Sequence, residues 1–438
     1  MTVVPYHRAL AHSIAGALLC GLFSSKAFAL QPLETFLKAA RAANFDNRES
    51  AAGAEQRSAE ADVAEGRLYP AFTAAGSYTR NQHEVSLVLP GELGGGGERM
   101  VIQPQDQLDG ALTVSVPVID IAAWRRVSAA NAAADAARAS QVSTQQDVEL
   151  GVSRAYYQLL GQEAVLEAAK RSLSVLEQNL QLVRDKLESG AASELDVQRG
   201  RAEIARQQGD VASAEIAVVT SRRALATASS IEPEPATTFP EDDLHQEKPL
   251  ENWLAYAPSN PRVTTARAAQ LAAAKSADAA AAAWFPTLAA AGQERFTNAT
   301  GFSGNAAVYT LQATLNWRFD ATLSPTERAQ RAAEQASQIR TERAQRGVQD
   351  AIHDAWHHVR AAIEKSRAAR VQIEASALAA ELARDRYGIG AATQLEVLEA
   401  QQDAFRAEVA RVQADTELAY ARAVLRAAAG YSGERNLP

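Results

Sequence analysis

Cysteine is almost missing from this chain. Of 438 residues only Cys20 carries a thiol, and it lies inside an N-terminal segment that reads as a secretory signal. His7 and Arg8 stand in a short leading region, an apolar stretch runs from about Ile14 to Phe23, and Ala27-Phe28-Ala29 supplies a small-x-small cleavage site. The mature chain is expected to begin near Leu30, with 1–29 removed. Cys20 has two readings. Lipidation wants a small residue before the cysteine, where bulky Leu19 stands; simple removal with the signal leaves a mature protein with no disulfide and no thiol chemistry. Long apolar runs are missing as well. The signal's own stretch is too short for a membrane helix, and nothing after it reaches that length. Any crossing of a membrane would therefore be made by strands. An excess of positive charge is also lacking: 44 Lys and Arg stand against 52 Asp and Glu, a net −8. That balance offers no basic face for nucleic acid.

Alanine is abundant, and it is the strongest helix former. The chain is also a tandem repeat. Residues 120–229 match 320–429 at a constant offset of 200: Asp120 with Asp320, Ala155-Tyr156 with Ala355-Trp356, Arg184-Asp185-Lys186-Leu187 with Arg384-Asp385-Arg386-Tyr387. Upstream the offset is 216, pairing Asn44 with Asn260, Pro70 with Pro286 and Gly76 with Gly292. The change falls between about 80 and 110, where the first copy carries a longer insert with Pro90-Gly91 and Gly94 to Gly97 as a loop tip. The expected division is a first repeat at 30–229, a Pro-rich acidic linker at 230–248, a second repeat at 249–429 and a tail at 430–438. Each repeat reads as a short helix, a helix ending at a proline, two strands, and a long helical hairpin.

Tyr309, Leu311, Ala313, Leu315, Trp317 and Phe319 alternate with Thr310, Gln312, Thr314, Asn316 and Arg318. Alternation places one apolar and one polar face on a strand, and eleven residues match the roughly 9–11 of a tilted membrane strand. Strands are expected at about 71–89, 107–118, 287–297 and 306–319. A soluble sheet with one buried face gives the same pattern. Four strands cannot close around a lumen, whereas three chains supplying about twelve could close with no open edge in lipid.

From Val152 a heptad runs through Leu159, Leu166, Leu173, Leu180 and Leu187, the sign of supercoiled packing. A helix over 120–187 would be roughly 100 Å long at ~1.5 Å per residue. Its far end is well specified in both copies. Gly190 and Gly390 suit left-handed helix caps, and Ser193 with Asp196, and Thr393 with Glu396, form capping boxes. Ser324-Pro325-Thr326-Glu327 reads as a further helix start, with Pro325 at the first helical position.

The duplication, the Pro70 and Pro286 boundaries, the Pro117-Val118-Ile119-Asp120 strand-to-helix turn and the paired hairpin tips together resemble the TolC family of outer-membrane efflux proteins. The resemblance implies a mainly α fold with a small antiparallel β part: long coiled-coil hairpins and four membrane strands per chain, closing as a trimeric twelve-stranded barrel on an α-helical tunnel. It implies a homotrimer in outer-membrane lipid, extending into the periplasm and engaged by a periplasmic adaptor protein and an inner-membrane pump. It implies export of small molecules such as drugs, toxic organics or metal ions, with type I protein secretion as the alternative. A soluble periplasmic coiled-coil scaffold is the competitor from another class. By the same resemblance Glu396 and Glu399, one turn apart on one helix face, form an acidic constriction whose crowding would raise carboxylate pKa values. Glu396 also has a purely local use as a cap. Tyr387 matches a tyrosine that closes the tip, although Leu187 in the first copy suggests a core position; Asp196 reads as a cap before a gate partner. Ala392 stands where the family often has an arginine, so the ties that close this tip must differ. Gly190, Ala191, Ala192, Ser193, Gly388, Ile389, Gly390, Ala391 and Thr393 are the expected adaptor contacts.

His353-Asp354-Ala355-Trp356-His357 superficially resembles the zinc-helix motif H-E-x-x-H. Asp replaces the Glu, no third ligand is signalled, and the first copy has Ser153 to Tyr157 there. No nucleophile triad or phosphate loop occurs. Neither an enzyme, a cofactor nor a metal is expected.

Overall fold

The computed structural model describes residues 30–88, 99–234 and 242–431. The signal with Cys20, the loop tip at Pro90 to Gly97, Pro235 and Pro240 of the linker, and the tail from 432 lie outside the described residues.

The protein is mainly helical with a small antiparallel sheet. In chain order the first repeat gives α1 (Leu33–Ala43), α2 (Phe45–Gly66), β1 (Ala71–Arg80), β2 (Val85–Val88), β3 (Arg99–Gln103), β4 (Asp106–Ile119), α3 (Ile121–Glu188) and α4 (Glu194–Ser229). The second gives α5 (Leu250–Leu254), α6 (Pro261–Ala281), β5 (Thr287–Thr297), β6 (Ala307–Asn316), α7 (Leu323–Gly388) and α8 (Gln394–Ala428).

The long helices α3 and α7 outrun their return helices, and α2 and α6 continue the line. One side chain makes each joint. Asn44 caps α2 by accepting from Asp46 N (2.9 Å) and donates to Ala228 O near the end of α4 (3.0 Å). Asn260 caps α6 through Arg262 N (2.8 Å) and donates to Ala428 O at the end of α8 (2.8 Å). One amide thus satisfies orphan groups at two helix ends.

The core follows the duplication. Phe36, Val152, Leu159, Val218 and Leu225 gather in the first repeat. Trp253, Ile352, Val359, Leu418 and Leu425 gather in the second. A third cluster, of Leu180, Val183, Val197, Tyr387 and Val397, joins the two hairpins at their far ends.

The sheet has the order β1-β4-β5-β6, antiparallel throughout, so β4 and β5 weld the two repeats together. Both its faces are largely uncovered in the single chain; Tyr309 is 73% and Leu311 77% exposed. Three local expectations are corrected. The strand expected at 71–89 breaks after Arg80. Asn81 N reaches Gln105 O (2.7 Å) and its amide reaches Pro104 O (2.8 Å), opposite a proline that has no N–H to continue a ladder. Beyond the break, β2 pairs with β3 as a separate ribbon. The strand expected at 306–319 stops at Asn316, because Asn316 pairs with Thr287 and the partner's preceding residue is Pro286. Trp317 instead donates from its ring to Trp284 O (3.1 Å) and packs on Phe319. Finally, α7 starts at Leu323 and not at Pro325. Asp320 Oδ1 accepts from Thr322 N (2.8 Å), a side-chain turn that starts the helix early. Pro325 then falls within the first turn, where N–H groups have no intrahelical partner anyway.

Candidate functional site: the hairpin tips

Each hairpin turns on one glycine. Gly190 (φ +77°) and Gly390 (φ +82°) take the left-handed conformation. Behind them Ala191 N bonds Lys186 O (2.8 Å) and Ala391 N bonds Arg386 O (2.7 Å), closing both helix ends alike. Both expected capping boxes form. Ser193 N donates to Asp196 Oδ2 (3.1 Å) and Thr393 N to Glu396 Oε2 (2.6 Å), and each cap hydroxyl accepts from the N–H of its acidic partner.

This geometry sets the charge of Glu396. Hydrogen bonds from the Thr393 backbone and hydroxyl, with the Arg386 charge nearby, hold its carboxyl below the usual range. Within one chain the shift is therefore downward, opposite to the rise expected from crowding. Glu396 and Glu399 are both exposed, one turn apart on α8.

Tyr387 is buried in the tip cluster, 6% exposed. Its hydroxyl is buried without a hydrogen-bond partner, and burial together with the Asp196 charge pushes its pKa up. Ala192 and Ala392 pack against the same cluster. Asp196 keeps to its own hairpin, capping α4 and pairing loosely with Arg199 at 3.9 Å.

The tie between the tips comes from a residue that sequence reasoning missed. Lys186 Nζ donates to Tyr387 O (2.5 Å) and Gly388 O (3.1 Å), and lies 4.4 Å from the centroid of the Tyr387 ring. A lysine carries three donors, and here two of them serve the carbonyls that end α7. The available signal was the repeat itself, which aligns Lys186 with Arg386, the latter bonding its own tip at Ala391 O (3.1 Å). A groove of about 480 Å³ opens between Val175, Gln178, Asn179 and Leu182 of α3 and Arg384, Asp385, Gly388 and Ile389 of α7. Asn179 is 3% exposed, and neither amide atom has a partner.

Asp242, Asp243 and His245 gather within 4.8 Å in the manner of metal ligands. Asp243 bonds the His245 ring (2.6 Å), while Asp242 and His245 face the cation of Arg422, which is 4% exposed. It donates to both Asp242 oxygens (2.9 and 3.0 Å), to His245 O (2.8 Å) and to Glu247 (2.5 Å). The cluster straps the linker onto α8.

No helix among the described residues is long and apolar enough to cross a membrane. No curated protein sequence matches the chain. Several solved structures share its fold. CusC is 18% identical, with a TM-score of 0.78, covering 92% of this chain and 93% of that one. The Campylobacter jejuni CmeC outer membrane channel is 15% identical (TM-score 0.78; 99% and 96% covered). The open state of the Neisseria gonorrhoeae MtrE outer membrane channel is 20% identical (TM-score 0.73; 92% and 90% covered). The profile of the outer membrane efflux protein family matches residues 36–229 and 257–431, which take in both hairpins and the whole four-stranded sheet. The chain therefore belongs to the outer membrane efflux protein family, whose members lie in the outer membrane and extend into the periplasm.

Proposed function

We propose that three copies close their sheets into a twelve-stranded barrel and their hairpins into a tunnel, forming the exit duct of a tripartite efflux pump for small molecules. The observation that carries this is the sheet β1-β4-β5-β6. Within the chain its outer strands have no further neighbour among the described residues, and its apolar side chains lie exposed on both outer strands. Neither an open edge nor that apolar area is stable in a solitary chain. Closure with two further copies inside lipid satisfies both.

The hairpin tips are the gate. Glu396 and Glu399 of three chains put six carboxylates near the axis, a ring that attracts cations and repels anions. Within each chain the hydrogen bonds from Thr393 favour the charged form of Glu396. Lys186 ties the second tip to the first, supplying from α3 the positive charge that Ala392 does not. The tips at Gly190–Ser193 and Gly388–Thr393, with the groove between them, fit the helical end of a periplasmic adaptor. That adaptor would link the duct to an inner-membrane pump.

Single-channel conductance in planar bilayers tests the reading. Wild type is expected to show discrete cation-selective openings, and Glu396→Gln/Glu399→Gln to lose the selectivity. Openings whose selectivity ignores the substitutions would reduce the two residues to a cap and a surface charge. Well-folded protein that is soluble without detergent and never conducts would sink the duct.

A further inference from the structure

On α7, positions 350, 353, 354 and 357 follow helical i, i+3, i+4, i+7 spacing, so Asp350, His353, Asp354 and His357 lie along one stripe. All four are exposed, while Ile352, Ala355 and Val359 of the same turns are buried in the core and fix the helix. The two imidazoles meet: their ring centroids are 4.6 Å apart, with planes at 51°. His357 is backed from the other side by Trp356, edge to face at 4.9 Å. Trp356 is itself held, donating from Nε1 to Lys248 O at 2.9 Å, with Arg360 4.9 Å from its centroid. His353 Nδ1 stands 3.9 Å from Asp354 Oδ1.

Packing does not require these residues. The first copy builds the same helix and the same core with Leu150, Ser153, Arg154 and Tyr157 at the equivalent places. The ligand-bearing stripe is a property of the second copy alone.

From this geometry we infer that His353 and His357 form a surface binding site for a divalent first-row transition metal ion. Two imidazoles one turn apart chelate a single ion on one helix face. Nitrogen ligands with carboxylates in reach suit Cu²⁺, Ni²⁺ and Zn²⁺, with Cu²⁺ bound most tightly. Asp350 and Asp354 lie on the same stripe and add negative charge beside the two imidazoles, and water completes the shell. The two rings already lie against each other in the free chain, so the ligand pair is brought together before binding. The missing third histidine argues against a closed structural site, but not against this open one. The Asp242 cluster is no competitor, since Arg422 fills it.

The test is a Cu²⁺ titration of the full, tag-free protein in detergent, followed by calorimetry, by electron paramagnetic resonance for nitrogen coupling, and by quenching of Trp356 fluorescence. One equivalent per chain with nitrogen coupling is expected. His353→Ala and His357→Ala should each weaken binding at least about tenfold, the loss of one of two chelating ligands. His358→Ala and His245→Ala should leave it unchanged, and Trp356→Phe should keep binding but lose the quenching. These are exposed substitutions apart from Trp356, and unchanged helical circular dichroism confirms folding. Equal affinity in wild type and His353→Ala/His357→Ala, loss of binding in His245→Ala instead, or no saturable binding would each overturn the site.

Discussion

Lys186 bonds two carbonyls of the other hairpin and faces an aromatic ring, contacts that a neutral side chain of similar length cannot make. Hydrogen bonds from a charged donor contribute about 1.5–3 kcal/mol when sheltered, and less when partly exposed, as here. Lys186→Met keeps the stem that covers Tyr387 and removes the donors. On the proposed gate, where this tie holds the tip shut, a loss of about 1–2 kcal/mol corresponds to a five- to thirtyfold shift in population. Single-channel recording of Lys186→Met should therefore show a higher open probability, with conductance and selectivity unchanged. An open probability equal to wild type would make the lysine a surface residue that happens to reach across. Sequence reading missed Lys186 for a physical reason. A lysine on a heptad flank is ordinarily solvated, and only the neighbouring helix end, 201 residues away, gives it two carbonyls to hold.

Helices meet most closely where side chains vanish. A Cβ built on Gly161 of α3 would lie 2.7 Å from Thr416 Oγ1 and 3.3 Å from its Cγ2 on α8. Both branches of the threonine are in the way, so a change of rotamer gives no relief. Alanine in a helix interior gains about 1 kcal/mol over glycine, whereas overpacking a tight contact costs about 1–3 kcal/mol. Gly161→Ala should therefore lower the thermal midpoint of the helical circular dichroism signal, and Thr416→Ala in the same chain should restore it. A midpoint above wild type with Thr416 intact would show that α3 and α8 separate freely. This contact between hairpins could not be read from the sequence, because heptads report which face is apolar and not which helix covers it. What was legible at this scale was local. Val152, Leu159 and Leu180 are buried as their spacing demands, and the capping boxes at Ser193 and Thr393 both form. The paired asparagines Asn44 and Asn260 could be aligned but not interpreted, since their second bond crosses to the end of another helix. The β2–β3 ribbon escaped notice because the alternation of residues 71–89 hides the break opposite Pro104.

For the whole molecule the decisive quantity is the number of chains that close the sheet. Four antiparallel strands with a right-handed twist cannot meet edge to edge, while a barrel with an open lumen needs many more. In hydrocarbon every N–H must have a partner, so the proposed barrel pairs β1 of one copy with β6 of the next. Only a whole number of four-stranded sheets can be used, and the long hairpins below must pack at the same multiplicity. Twelve strands from three copies is the proposed closure, and the number of carboxylates gathered at the tip follows from it. Light scattering of the purified protein in detergent should give the mass of three mature chains, and removal of detergent should precipitate it. A monodisperse single chain without detergent would mean that the exposed faces of β1 and β6 are covered by something other than lipid and neighbouring copies. Any other stoichiometry in detergent would overturn the twelve-strand closure and, with it, the proposed ring of six carboxylates at the tip.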